Sequence, residues 1–280
     1  ILEDAKREME FVERNNLRVY LDGENDYPPL LKECPDAPLI LFYRGDAPLE
    51  RLYAKRWISV VGSRRMTDYG RDFVKSLLRD LAAKGYNLVV VSGLAQGVDG
   101  VAHESALLNG FPTVGVLGHG MSHFYPVGNM ALARKMLPTG GLLTEFMSHR
   151  NADKGTFLQR NRIIAGLSSA TIVVESAVRG GAMVTAQRAL DYQRDVLALP
   201  GNAGRELSSG CNQLIKRNVA SLVENADDLE NALMWVSPGG ATGGDGVVQP
   251  KIFYEPTPQE QRALDALQGH EGVSIDELLR

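Results

Sequence analysis

The segment WISVVGSRRMT, residues 57–67, joins an apolar run directly to a turn that carries two arginines. Uninterrupted Val and Ile runs suit a strand that is covered on both faces. Runs of the same kind recur at regular intervals, each followed by a helical pattern: 87–91, 113–117, 141–145, 170–174 and 195–199. Strands that alternate with helices predict an α/β fold with a doubly wound, parallel sheet.

Composition limits the classes of protein to consider. The chain has 280 residues, of which 44% are hydrophobic, so it can bury a large core. No stretch approaches the roughly 20 apolar residues of a membrane span, and the first ten residues do not resemble a signal peptide. The two cysteines, Cys34 and Cys211, lack metal-ligand spacing and are predicted to be reduced thiols. We therefore expect a cytoplasmic protein with no membrane contact.

The net charge of −4 conceals a segregation of charge along the chain. Residues 1–50 sum to −6, residues 51–220 to +10 and residues 221–280 to −8. A basic centre between acidic ends is typical of a surface that binds a polyanion. Ordinary scatter of surface charge is the alternative.

The turns after the predicted strands indicate where a ligand would bind, because ligands of doubly wound sheets lie beyond the carboxyl ends of the strands. Residues 62–65 follow the first strand and residues 92–100 follow the second. Both are small-residue turns that enter helices, and such turns present backbone N–H groups to phosphate. A third segment, after the predicted strand at 141–145, is rich in basic residues and leads into a helix. We expect this helix to begin near Asn161, since an earlier start would bury Arg160. That start leaves Lys154, Arg160 and Arg162 around the helix N-terminus.

Two enzyme classes compete at this edge. A dinucleotide enzyme would need GxGxxG after the first strand, where the chain has arginine, and an acidic end to the second strand, where it has Ser92. A nucleotide hydrolase could use Glu145, Glu175 or Asp99 as a base, but a P-loop is absent from the sequence. No metal-ligand cluster is apparent, and we expect neither a cofactor nor a catalytic residue.

Eight strings share their order and spacing with the DNA-processing protein A family, also called DprA or Smf. Over residues 20–235 the chain resembles that family in VVGSRRMTDYG, VVSGLAQGVDGVAHESAL, VLGHGMSHFYP, LLTEF, FLQRNRIIAGLS, VVESAVRGGAMVTAQRAL, VLALPGN and GCNQLI. The resemblance implies an extended Rossmann-like domain that binds single-stranded DNA without cleaving it. It also implies a homodimer that loads the RecA recombinase onto incoming strands during natural transformation.

The resemblance assigns the site residue by residue. The predicted DNA-binding residues are those that match the family's turns and its FxxRNR stretch: Gly62, Ser63, Arg64, Arg65, Ser92, Gly93, Ala95, Gly97, Lys154, Phe157, Arg160, Asn161 and Arg162. A base would stack on Phe157 while the cations hold the backbone. A dimer surface is expected in residues 205–235, where Leu222, Leu229, Leu233 and Trp235 offer an apolar face or simply belong to the core.

Structural alternatives stand beside these assignments. Arg64 could pair with Asp68, and Arg160 and Arg162 could form internal ion pairs with Glu145 or Glu175. Phe157 could be a core residue.

The expected domains are four segments of unequal size. Residues 1–16 read as the remnant of an N-terminal helical module, and residues 17–236 form the DNA-binding domain with an added strand at 39–43. Residues 237–250 form a Gly-rich linker, and residues 251–280 read as the truncated start of a winged-helix-like domain.

Overall fold

A nine-stranded sheet organises the described part of the chain. The structure is a computed structural model and describes residues 2–238. The strand order is β1-β2-β6-β5-β4-β3-β7-β8-β9. The strands are β1 (Arg18–Leu21), β2 (Ile40–Arg44), β3 (Arg56–Gly62), β4 (Leu88–Ser92), β5 (Thr113–Val116), β6 (Gly141–Thr144), β7 (Ala170–Val174), β8 (Asp195–Ala198) and β9 (Ser221–Leu222).

Helices cover both faces of this sheet and connect its parallel strands. They are α1 (Leu2–Arg14), α2 (Pro29–Lys32), α3 (Asp68–Ala83), α4 (Val98–Leu108), α5 (Met130–Met136), α6 (Lys154–Gly166), α7 (Gly181–Asp191), α8 (Glu206–Lys216) and α9 (Ala226–Ala232). Short 3-10 turns occupy Leu49–Leu52 and Val127–Asn129.

The predicted doubly wound, mostly parallel, Rossmann-like sheet is confirmed. From β3 the chain builds outward through β4, β5 and β6, and then returns to the other side of β3 to place β7, β8 and β9. All seven of these strands pair in parallel. The order therefore reverses beside β3, the strand that contains the opening segment, and the turn after β3 lies where such sheets bind ligands.

Two antiparallel strands extend the sheet at one edge. The strand expected at 39–43 is observed as β2, which pairs antiparallel with β6. The sequence did not predict β1, which pairs antiparallel with β2, or the two-residue β9. Only Tyr20 of β1 is buried, so this strand lacks the continuous apolar run that marked the others.

The core fills both sides of the sheet. One cluster joins Val60 and Val90 to Leu77 and Leu81 of α3, and another joins Val91 and Val173 to residues of α6 and α7. The five-residue strand β4 is buried throughout, as expected of a strand covered on both faces. Both cysteines are free and buried, which confirms the predicted thiols.

Helix α1 is attached to the domain by one buried carboxylate. Glu8 is 7% exposed and accepts hydrogen bonds from the backbone N–H (2.9 and 3.0 Å) and the hydroxyl (2.8 Å) of Ser148. These bonds satisfy the carboxylate and tie the helix to the loop after β6. That residues 1–16 belong to a larger helical module stays a prediction.

We expect Glu8→Ala to release α1 from the domain while the sheet stays folded. The Ser148 donors would lose a charged partner, a loss of about 1–3 kcal/mol. Hydrogen exchange should show faster exchange across α1 in this variant. The exposed neighbour Glu10 provides the control Glu10→Ala. Equal protection of α1 in the two variants would contradict the anchoring role of Glu8.

The apolar face predicted for a dimer surface belongs largely to the core. Leu229 is fully buried, and Leu233 and Trp235 pack partly against the same cluster. Leu222 is the exception, with 43% of its surface exposed. For Leu229 the core alternative is therefore correct, because α9 packs against α3, and a dimer surface within residues 205–235 stays a prediction.

Two sequence-based expectations lie wholly or mostly outside the described residues. These are the winged-helix-like fragment at 251–280 and the Gly-rich linker at 237–250, of which only residues 237 and 238 are described. Within residues 2–238, no helix combines the length and apolar character that a membrane crossing requires.

Candidate functional site

A small pocket lies where the turns after β3, β4 and β5 meet. We call it the carboxyl-edge pocket, and its volume is about 70 Å³. Its lining residues come from four separate segments of the chain: Arg64, Gly93, Ala95, Gln96, Leu117, Gly118, Tyr125, Pro126 and Phe157. Among residues 2–238, this lining includes one arginine and two aromatic rings but no carboxylate.

Phe157 contacts both the arginine and the other aromatic residue of this pocket. The guanidinium carbon of Arg64 lies 5.2 Å from the centroid of the Phe157 ring, within cation–π distance. Tyr125 packs against the same ring, with 5.8 Å between the centroids of the Tyr125 and Phe157 rings. Arg64 is exposed and Tyr125 is 46% exposed, so the charge and one ring face solvent. Asp68, the alternative partner of Arg64, instead pairs with Arg71.

The first two turns are joined by their backbones. The N–H of Val98 donates to the carbonyl of Ser63 across 3.2 Å, and the N–H of Ser63 donates to the carbonyl of Glu175 across 2.8 Å. Gly97 makes this approach possible, because its φ is +79° and an added Cβ would lie 2.7 Å from the carbonyl carbon of Arg64. Position 97 therefore has to be glycine for the two turns to meet.

Helix α6 begins at Lys154 and not near Asn161, so the predicted start is wrong. Asp153 caps the helix by accepting from the N–H of Thr156 (2.9 Å), and the Thr156 hydroxyl accepts in return from the N–H of Asp153 (3.0 Å). This reciprocal cap was present in the sequence as Asp153 and Thr156. Lys154 is exposed in the first turn, where Phe157 also lies.

The early start buries Arg160, which is the arrangement that sequence reasoning had rejected. Arg160 is 4% exposed and donates from Nη1 to the carbonyl of Val116 across 2.6 Å. Its guanidinium lies directly beneath Gly93, where an added Cβ would lie 2.5 Å from the guanidinium carbon. A glycine in the second turn thus provides the space for the cation. Arg160 therefore does not line the pocket and lies under its floor.

Burial and mutual interaction shift the pKa values of Arg160 and Asp99. Burial lowers the pKa of Arg160 to about 10, partly offset by Asp99, so the guanidinium stays protonated at neutral pH. Burial raises the pKa of Asp99, and the charge of Arg160 opposes that increase. The Arg160 Nε has no hydrogen-bond partner among residues 2–238. This cation adds positive potential beneath the pocket.

His103 is held neutral in the same region. Burial, reinforced by the positive charge of Arg160, lowers the pKa of His103 from 6.5 to about 3. Its Nδ1 lies 2.7 Å from the hydroxyl of Thr113, which donates to the carbonyl of Val90. The histidine therefore accepts no proton in the folded protein until the solution is strongly acidic.

We expect His103 to make the protein acid-sensitive. Because the pKa is lower in the folded state, the unfolded chain binds the extra proton, and the free energy of unfolding falls between pH 6.5 and about 3. Protonation of His103 in the unfolded chain lowers the free energy of unfolding by up to about 1.4 kcal/mol for each pH unit in this range. Urea unfolding across this range should show a smaller pH slope for His103→Gln than for the wild type. The exposed His149 supplies the control His149→Gln, and equal slopes in all three proteins would contradict the assignment.

Three predicted site residues are engaged inside the protein. Ser92 is buried and donates to the carbonyl of Val60 across 2.6 Å. Asn161 is 8% exposed and donates to the carbonyl of Gly181 across 3.3 Å. Arg162 forms an ion pair with Glu145 and also donates to a backbone carbonyl, as its structural alternative had anticipated. All three side chains bind other groups of the protein, and none of them lines the pocket.

The remaining predicted residues have mixed positions. Gly62 and Ser63 form the first turn, and the Ser63 hydroxyl accepts from the N–H of Arg65 across 3.0 Å. Arg65 is exposed but does not line the pocket. Arg64, Gly93, Ala95 and Phe157 all line it. The predicted meeting of separate turns at one edge is therefore correct, whereas only part of the residue set is at the surface.

The two strand-closing glutamates are also structural. Glu145 pairs with Arg162, and Glu175 accepts from the N–H of Thr67 across 2.8 Å and from its hydroxyl. Neither carboxylate lines the carboxyl-edge pocket. The nucleotide-hydrolase alternative also named Asp99, which is 8% exposed and accepts from the N–H of the pocket residue Ala95 across 3.3 Å without lining the pocket itself.

Sequence reasoning missed the contribution of β5. Leu117 and Gly118 follow this strand directly, and Tyr125 and Pro126 come from the loop beyond it. His119 holds that loop in place, with its Nε2 near the backbone N–H (3.3 Å) and carbonyl (3.1 Å) of Tyr125. Applying to β5 the same rule that was applied to β3 and β4 would have found these residues.

These features define a class: a Rossmann-like α/β protein with a cationic and aromatic pocket at the carboxyl edge of its sheet and no dinucleotide fingerprint. Comparison with known proteins gives the family. A model of DNA recombination-mediator protein A matches residues 18–234, and the chain belongs to this family.

Individual relatives agree with this assignment. The chain is 38% identical over 207 residues to DNA processing protein DprA of Bacillus subtilis, covering 74% of this chain and 68% of the relative. It is 40% identical over 203 residues to the Streptococcus pneumoniae protein, covering 72% and 70%. The crystal structure of the S. pneumoniae protein matches with a TM-score of 0.71 at 35% identity, covering 80% of this chain and 77% of that one.

A second solved structure is that of DNA processing protein A from Helicobacter pylori. It matches with a TM-score of 0.68 at 29% identity, covering 78% of this chain and 95% of that one. That structure addresses how the H. pylori protein binds single-stranded DNA.

Proposed function

We propose that this protein binds single-stranded DNA through the carboxyl-edge pocket, as a mediator of recombination. The observation that carries the proposal is the lining of the pocket, which combines an exposed arginine with two aromatic rings and lacks any carboxylate. Proteins that bind single strands without sequence preference pair cations for the phosphates with aromatic faces for the bases. The relationship to the H. pylori protein supports this function.

Each part of the pocket has a distinct role in this proposal. Arg64 contacts a phosphate and stays oriented by its contact with Phe157. Lys154, exposed at the start of α6, meets a neighbouring phosphate. The exposed face of Tyr125 offers a surface for base stacking. Arg160 acts from beneath Gly93 through its charge, without touching DNA.

We further propose, from family membership, that the protein works as a homodimer and delivers DNA to the RecA recombinase in the cytoplasm. Two pockets on one strand would raise the affinity through effective concentration. We also propose, from family membership, that it is not an enzyme.

The aromatic contribution can be tested on α6. We expect Phe157→Ala to weaken binding of a fluorescently labelled oligothymidine by roughly 5- to 30-fold, about 1–2 kcal/mol, because Phe157 supports both Arg64 and the Tyr125 ring on which a base stacks. Fluorescence anisotropy measures the change.

The neighbouring Leu158, 40% exposed on the same helix, gives the control Leu158→Ala, which should bind as the wild type does. Equal binding by the wild type and both variants would refute the pocket as the DNA site.

A further inference from the structure

A second, larger pocket lies at the opposite edge of the sheet. It has a volume of about 400 Å³ and surrounds the beginning of β3, so we call it the amino-edge pocket. Strand β3 runs from Arg56 to Gly62, which separates the two pockets by roughly 20 Å at 3.3 Å per residue. The amino-edge pocket is therefore independent of the proposed DNA site.

The walls of this pocket are mainly apolar. Tyr53, Trp57 and Trp235 contribute aromatic rings, and Leu167 and the prolines at 28 and 29 add aliphatic surface. The sequence contains only two tryptophans, and both of them line this pocket. A volume of this size accommodates one or two large side chains or a small molecule.

The polar groups inside the pocket already have partners. Trp57 donates from its indole N–H to the carbonyl of Leu52 across 3.0 Å, and the Tyr53 hydroxyl donates to the carbonyl of Asp26 across 2.7 Å. Ser169 donates to the carbonyl of Trp57 across 3.0 Å. Because these donors are occupied, the interior suits an apolar group that needs no hydrogen bond.

The remaining polar lining is cationic. The guanidinium of Arg56 lies 4.6 Å from the ring centroid of Trp235 and 5.4 Å from that of Tyr86. Lys55 bonds to the amide oxygen of Asn87. Neither cation forms an ion pair with a carboxylate of residues 2–238, and the pocket lining contains no acidic residue. Two cations without carboxylate partners beside an apolar cavity complement a ligand that has an apolar centre and negative flanks.

We propose that the amino-edge pocket docks an acidic peptide segment of a partner protein, with an aromatic side chain of that segment inserted between Trp57 and Trp235. The aromatic side chain fills the apolar interior, while carboxylates on either side of it meet Lys55 and Arg56. Aromatic anchors in pockets with charged rims are a common basis of peptide recognition.

The two tryptophans allow a direct test. The full chain is titrated with the peptide acetyl-Glu-Asp-Phe-Asp-Glu-amide at low salt while tryptophan emission is recorded. We expect a saturable change in tryptophan emission, with half-saturation below about 1 mM peptide. A peptide with Ala in place of Phe should bind at least tenfold more weakly, and a peptide with Lys in place of the acidic residues should not bind.

Charge-neutral substitutions identify the cations responsible. Arg56→Gln and Lys55→Gln should each weaken peptide binding at least threefold and leave oligothymidine binding unchanged. The exposed Arg51 lies outside the pocket, and Arg51→Gln makes the same change in net charge as a control. Near-ultraviolet circular dichroism establishes that each variant is folded.

Three results would overturn the proposal. The first is the absence of a saturable emission change, and the second is equal binding of the Phe and Ala peptides. The third is a change in tryptophan emission when the protein is diluted without peptide, accompanied by a fall in its molar mass by light scattering. Such a result would show that a second copy of the chain fills the pocket.

Discussion

Arg64→Ala should reduce the affinity for oligothymidine by roughly 30- to 150-fold, equivalent to a loss of about 2–3 kcal/mol. Arg64 is the only charged residue among the pocket-lining residues, and its guanidinium lies over the Phe157 ring. Within residues 2–238, Arg64 forms no ion pair with a carboxylate that would compete with a phosphate. If Arg64 binds a phosphate as proposed, its removal eliminates that contact and the release of one counterion. The slope of log affinity against log salt should therefore fall by about 0.7.

The adjacent Arg65 makes this a specific test. It is also exposed and has the same charge, but it does not line the pocket. We expect Arg65→Ala to weaken binding by less than about threefold, since it removes only a solvent-exposed charge outside the pocket, which salt screens. Anisotropy titrations across a salt series distinguish the two variants. Equal losses from both would show that general charge, and not the pocket, determines the affinity.

Gly97→Ala should destabilise the protein and abolish DNA binding at concentrations that saturate the wild type. The φ of +79° is unfavourable for alanine, and the new Cβ would collide with the backbone of Ser63 and Arg64. Strain together with overpacking costs about 2–4 kcal/mol of the free energy of unfolding. The turn that presents Arg64 would have to move to relieve the collision, so affinity falls with stability.

Gly100 provides a matched control three residues further along the chain. It lies inside α4, where an added Cβ would meet its nearest neighbour, the carbonyl oxygen of Ala95, at an ordinary 3.5 Å. Alanine is favoured over glycine within a helix by up to about 1 kcal/mol. Gly100→Ala should therefore be neutral or stabilising and should bind DNA normally. Urea unfolding and anisotropy measure both variants, and similar behaviour of the two would refute the role assigned to position 97.

Glu145 and Arg162 illustrate why residues that follow strands do not all belong to the site. Both were candidates for chemistry at the sheet edge, yet they neutralise each other in an ion pair of low exposure. Sequence reasoning listed this pairing as an alternative but could not choose, because the partners are 17 positions apart and their distance depends on where α6 begins. The cap formed by Asp153 and Thr156 decides that start.

The sequence by itself determined the alternation of the buried parallel strands with helices and the edge of the sheet where the candidate site lies. Uninterrupted apolar strands, small-residue turns and helix caps are local signals, and parallel strands necessarily bring their carboxyl ends to one edge. Only the tertiary structure decided which side chains reach the surface there. Arg160 is buried because Gly93, distant in sequence, leaves room for its guanidinium and Val116 accepts its hydrogen bond. Tyr125 joins Phe157 because the loop after β5 folds back over α6. Such contacts depend on packing between distant segments, which no local pattern encodes.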